Sequence, residues 1–124
     1  MKIYRMVDSN ANGVFRGGPD DNGVLNQMPI ELCWGANPWR HPCPSEEGLD
    51  YGGPWLCGCI SPEQLDDWFN LPQRRWLQEN GREIRIFEVP DDRVNVGATQ
   101  VTFDSCHVTV LDIIRPLDLP VARF

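Results

Sequence analysis

Thiols, two imidazoles and a few scattered polar side chains carry whatever chemistry this sequence holds. Cys33, Cys43, Cys57 and Cys59 lie with His41 in a single stretch, and Cys106 stands apart. Thiolates and imidazole are zinc's usual donors, so Cys33, His41, Cys43, Cys57 and Cys59 are a candidate metal set. The spacing argues against it. Structural zinc sites present two cysteines across a tight knuckle, whereas Cys57 and Cys59 are two residues apart. On a strand they would share a face yet stand too far apart to chelate well, unless Gly58 bends the chain. Ordinary buried or half-buried thiols are the simpler reading. Five cysteines, an odd number, follow an N-terminus that enters strand-like sequence with no apolar leader. That combination predicts reduced thiols in a cytoplasm.

Other reaction signatures are missing from the sequence. There is no nucleophile elbow, no Walker phosphate loop and no Gly-x-Gly-x-x-Gly turn. Arg16-Gly17-Gly18-Pro19 lacks the strand-to-helix setting of a phosphate cradle. Glu46, Glu47 and Asp50 could serve a hydrolase as acid or base, but nothing near them supplies a partner group. The 124 residues hold 18 acids against 11 bases, a net charge of −7. This excludes the basic footprint of a general nucleic-acid binder and suits a basic protein partner or cationic ligand. The acid doublets Asp20-Asp21, Glu46-Glu47, Asp66-Asp67 and Asp91-Asp92 read as solvated turns or helix faces rather than as a phosphate ladder. The apolar runs are too short to span a membrane.

These groups must be positioned by a single small domain over 1–124. With 11 Gly and 11 Pro, much of the chain is loop. The alternation in residues 2–7 predicts a strand with Ile3 on one face and Tyr4 on the other. Residues 8–29 and 35–54 form long loops around a short strand at Ile30 to Trp34, and Trp55 to Cys59 forms a short buried strand. Ser61-Pro62-Glu63-Gln64 is a helix start: a capping Ser, Pro at the first helical position, and a Gln able to close a capping box. Leu65, Trp68 and Phe69 make the apolar stripe of that helix. Asn70 and Pro72 begin a second helical segment, with Trp76 and Leu77 facing inward and Gly81 as its cap. Strands are predicted at Glu83 to Val89, Val94 to Val96, Gln100 to Phe103 and Val108 to Ile114, followed by an extended tail. Helices confined to the middle of such a chain imply an α+β domain with one or two antiparallel sheets.

This order of features resembles the split-sheet fold of ADP-ribosyltransferases and the related RNA 2′-phosphotransferases. The matching residues are Tyr4-Arg5 on the first strand, Cys59-Ile60-Ser61 where a short strand runs into a helix cap, and Gly97-Ala98-Thr99-Gln100-Val101 on a late strand. The small transferases of phages and mobile elements are similar in length. The resemblance implies NAD, or a related nucleotide, as cofactor. Arg5 would hold its phosphate or ribose, Tyr4, Phe15 or Tyr51 would stack on nicotinamide, and Ser61 would brace the pocket. Gln100, with Tyr4, would form the reacting end. The family carries a Glu at the position of Gln100, where its charge stabilises an oxocarbenium-like transition state. An amide can hydrogen-bond there but supplies no charge, so the resemblance implies a nucleotide-binding domain that lacks the usual catalytic Glu, in a phage accessory or anti-defence factor. It requires the first strand and the Gln100 strand to lie side by side around one hollow. A second function class is a non-catalytic inhibitor that holds a protein through its long loops. Trp34, Trp39, Arg40, Tyr51 and Trp55 are the residue types of interface hot spots.

Overall fold

The computed structural model describes residues 1–8, 47–50 and 52–121. The predicted strand at Ile30 to Trp34 and most of both long loops lie outside them. The described chain is α+β, with two helices and two three-stranded antiparallel sheets. One sheet has the order β1 (Lys2–Val7), β3 (Glu83–Glu88), β6 (Thr109–Ile114). The other has the order β2 (Trp55–Gly58), β5 (Val101–Asp104), β4 (Val94–Val96).

Among the described residues, backbone hydrogen bonds join the sheets at one residue pair. Tyr4 and Cys59 exchange both backbone bonds, at 2.7 and 2.8 Å. Gly58 makes this approach possible: a Cβ there would sit 2.6 Å from Ile3 Cγ2 and 3.1 Å from the Tyr4 carbonyl oxygen. Alternation along β1 feeds two cores. Tyr4 and Met6 face Cys59, Leu65, Trp68, Phe69, Leu77 and Ile84 under the helices. Ile3 faces Phe87, Val89, Val101 and Phe103, where the Phe87 and Phe103 rings stand 5.5 Å apart. β1 and β5 are therefore not adjacent strands. β2 stands between them, and they share only the second core. The expected side-by-side placement fails because β5 takes its ladder bonds from β2 and β4.

The helices follow their local signals. Ser61 Oγ accepts from the Gln64 N–H at 3.1 Å and starts α1 (Pro62–Trp68). The Gln64 amide oxygen reaches one residue further back than a capping box requires, to the Ile60 N–H at 2.9 Å. Asn70 and Gln73 form a complete box at the start of α2 (Leu71–Glu79). Gly81 follows the end of α2 at φ 76°, a left-handed conformation that costs glycine little. Arg74, fully buried, donates to the Asp66 carboxylate and to the Phe69 carbonyl, and so locks the junction between the helices.

Three details depart from the sequence reading. The strand ending at Gly58 is not buried throughout: Trp55 and Leu56 are half-buried and Cys57 is exposed. Gln100 precedes β5 and belongs to the turn. The tail is not simply extended, because Pro116–Asp118 forms a 3-10 turn tied down by the Leu117 N–H donating to Gln78. β6 lies at a sheet edge with Val110, Leu111 and Ile113 exposed. A register shift in its pairing, and the Asp112 carboxylate seated on the Ile113 N–H, blunt that edge against another strand.

Candidate functional site: an acidic cleft beside a cationic seam

The cleft arises where α1 meets the turn between β4 and β5. The turn closes through the Gly97 N–H on the Gln100 carbonyl at 2.8 Å. Gly97 has no room for a side chain: a Cβ would lie 2.9 Å from Leu49 Cδ1 and 3.0 Å from the Gln100 carbonyl oxygen. Two long-range contacts pin the turn. The Trp68 indole N–H donates to the Thr99 carbonyl at 2.7 Å. The Glu47 carboxylate accepts from the Thr99 N–H at 2.6 Å, the Thr99 hydroxyl at 3.0 Å and the Gln100 amide at 2.7 Å. Above this brace a cleft of about 380 Å³ is lined by Ser61, Glu63, Gln64, Asp67, Trp68, Ala98 and Thr99.

Its electrostatics are one-sided. Glu63 and Asp67 sit one turn apart on α1, both exposed, and no described base lines the cleft. Such a surface repels phosphate and attracts ammonium or guanidinium.

Of the residues singled out in sequence, Ser61 lines the cleft and the segment leading to Gln100 forms its far wall. Gln100 itself is only 3% exposed and lies beneath, bonded to Glu47. Tyr4 is half-buried against the first core, and neither it nor Arg5 lines the cleft. Arg5 occupies the seam between the sheets. The Tyr4–Cys59 bridge ends the pairing of β1 with the β2 segment, so the Cys57 carbonyl, two residues earlier on the same edge, lacks a ladder donor. The Arg5 guanidinium takes that place, donating to the Cys57 carbonyl at 2.5 Å and approaching the Cys57 sulfur at 3.5 Å. Arg5 is 8% exposed and its Nε is buried without a partner among the described residues.

The zinc candidates divide. Cys33, His41 and Cys43 lie outside the described residues, as do Phe15 and Tyr51. Cys57 is exposed, whereas Cys59 is buried, and burial pushes its thiol far above the usual range. The neighbouring Cys57, Asp67 and Glu47 add to that shift. A neutral thiol in a core is a poor metal ligand. Among the described residues no group of three or more His, Cys, Asp or Glu side chains could hold a metal ion.

Sequence reasoning did not place Glu47, Asp67 and Thr99 at one site. Glu47 and Thr99 are 52 residues apart, and Trp68 carries the same signal as any helix core residue. Asp50, the other carboxylate weighed as an acid or base, accepts from the Asn95 amide at 2.9 Å.

No described helix is long and apolar enough to cross a membrane. The chain matches no curated protein and no solved structure. The family described as Bacteriophage T4 Y00F protein does match, over residues 1–117, and the chain belongs to that phage family.

Proposed function

We propose that this phage protein is a non-catalytic binding protein whose cleft between α1 and the 97–100 turn receives a basic group of a protein partner. The observation that carries the reading is the sign of the cleft: Glu63 and Asp67 are its ionisable groups among the described residues, with no base beside them. Like charges one turn apart cost a helix about 0.2–0.5 kcal/mol, a cost that an incoming cation relieves. A net charge of −7 steers basic partners toward the chain. The cleft volume of about 380 Å³ is at the lower end of small-ligand sites and suits a single arginine or lysine side chain. An arginine could fork onto one carboxylate while its stem lies along Trp68. In an accessory or anti-defence role the captured protein would be a host factor.

A second reading, an ADP-ribosyltransferase-like domain that binds NAD, has one specific observation in its favour. Ser61 and the segment before Gln100 do share a cleft, and Glu47 brings a carboxylate to 2.7 Å from the Gln100 amide. Two features weigh against it. The cleft carboxylates would repel a pyrophosphate, and Arg5 is committed to the seam.

Thermal unfolding separates the two readings. An arginine-rich peptide should raise the midpoint, and Glu63→Gln with Asp67→Asn should abolish the rise. NAD and ADP-ribose should leave the midpoint unchanged. A rise with NAD that is lost in Arg5→Ala would favour the nucleotide reading instead.

A further inference from the structure

Among the described residues, the seam holds a buried cation without an acid. There Arg5 donates to the carbonyl and sulfur of Cys57, its Nε has no described partner, and no described carboxylate pairs with it. Beside it stands an exposed free thiol. We propose that Cys57 is a modification site for thiol exchange with anionic disulfides, and that Arg5 selects them. The proposal is independent of the cleft.

The chemistry is balanced by the disulfide itself. The Cys57 sulfur, its proton released to solvent, attacks one sulfur of the incoming disulfide. A new S–S bond forms, the old one breaks, and the other half leaves as a thiolate. The guanidinium, 3.5 Å from the attacking sulfur, puts a positive charge beside the point of attack, where it draws a net-negative disulfide.

The molecule carries its own control. Cys106 is also exposed and free, and its backbone N–H donates at 2.9 Å to the Asp104 carboxylate, which lies 3.6 Å from Arg93 Nη1 and 3.7 Å from His107 Nε2. One exposed thiol therefore touches a guanidinium directly, whereas the other stands in a cluster of mixed charge with no described cation on its sulfur. With a net charge of −7, the chain as a whole should favour cationic reagents. Cys57 should be the exception. Cys59, two residues on, is too buried to compete.

The test uses the full reduced chain with oxidised glutathione, a net-negative disulfide, and cystamine, a cationic one. Mixed disulfides are located by peptide mass mapping over time. The ratio of the glutathione rate to the cystamine rate should be about tenfold higher at Cys57 than at Cys106. Arg5→Gln should lower the ratio at Cys57 and leave it unchanged at Cys106, whereas Arg5→Lys should keep it. Equal ratios at the two thiols in the unaltered chain would overturn the proposal. So would a ratio at Cys57 that survives in a folded Arg5→Gln protein. If Arg5→Gln does not fold, the unaltered chain and Arg5→Lys decide: loss of the preference in a folded Arg5→Lys protein, which keeps the charge, also overturns it.

Discussion

The cleft and the seam are built from opposite imbalances. At the cleft, Glu63 and Asp67 are exposed on α1 with no described base facing them. At the seam, Arg5 is buried with no described acid facing it. The exposed carboxylates keep their hydration, so their mutual repulsion is small and ready to be relieved by a partner. The buried guanidinium has exchanged water for a carbonyl and a sulfur, so it is structural first: it closes the backbone gap where the sheets part. A surplus of charge in water favours recognition, whereas the same surplus under cover favours architecture, here beside an exposed thiol. The two regions also differ in support. The cleft depends on one indole and one carboxylate that pin a turn, while the seam depends on a glycine that lets two strands meet.

Breaking the support of the cleft should have the largest effect. Trp68→Ala removes a buried aromatic and the anchor of Thr99. It should cost about 3–5 kcal/mol in urea unfolding, and any variant that still folds should lose peptide binding. Breaking the seam should cost less. Gly58→Ala forces a methyl group against Ile3 and should destabilise by about 1–3 kcal/mol, with the peptide affinity of the folded fraction intact. Ser61→Ala removes the cap of α1 and should cost about 1 kcal/mol. The smallest effect on stability comes from the cleft acids. Glu63→Gln with Asp67→Asn relieves a like-charge repulsion of about 0.2–0.5 kcal/mol but gives up the attraction of Glu63 to the N-terminus of α1, about 0.3–1 kcal/mol. Stability should therefore change by less than about 1 kcal/mol while peptide binding ends. A larger loss would mean that the carboxylates are structural.

Alkaline titration probes the buried side of the same contrast. Cys59 holds its proton more tightly when folded, because burial disfavours its thiolate. Its stabilising contribution is complete below the ordinary thiol value of 9.0 and declines as pH rises beyond it, since the unfolded chain ionises first. The Met1 amino group is also raised, by bonds to Glu88 and then Asp91, so its contribution likewise fades above its ordinary value of 8.0. The urea midpoint should therefore fall as pH rises through this range. In Cys59→Ala the fall should be shallower above 9.0.

What the sequence made legible was local. Ser61, Pro62 and Asn70 announce their helices within four residues, because caps and fixed φ angles act at that range. Alternation assigned Ile3 and Tyr4 to opposite faces, and two cores occupy those faces. The site itself was not legible. Alternation places Gln100 at the start of a strand, whereas it is a buried turn residue held by Glu47. The family resemblance gives Arg5 a phosphate or ribose to hold, whereas its guanidinium donates to the Cys57 carbonyl. Both contacts join residues more than 50 positions apart, 53 for Glu47–Gln100 and 52 for Arg5–Cys57. They depend on where β1 leaves the second sheet, a choice set by Gly58 and the packing of Ile3, and no periodicity in the chain encodes that choice.

Calorimetric titration of the full chain with an arginine-rich peptide, beside the same titration of the Glu63→Gln, Asp67→Asn protein, tests the central claim most directly. Saturable binding that weakens with added salt and disappears in the double variant is the predicted result. Undiminished binding by the variant, or no binding by the unaltered chain, would contradict a cleft built to receive a cation.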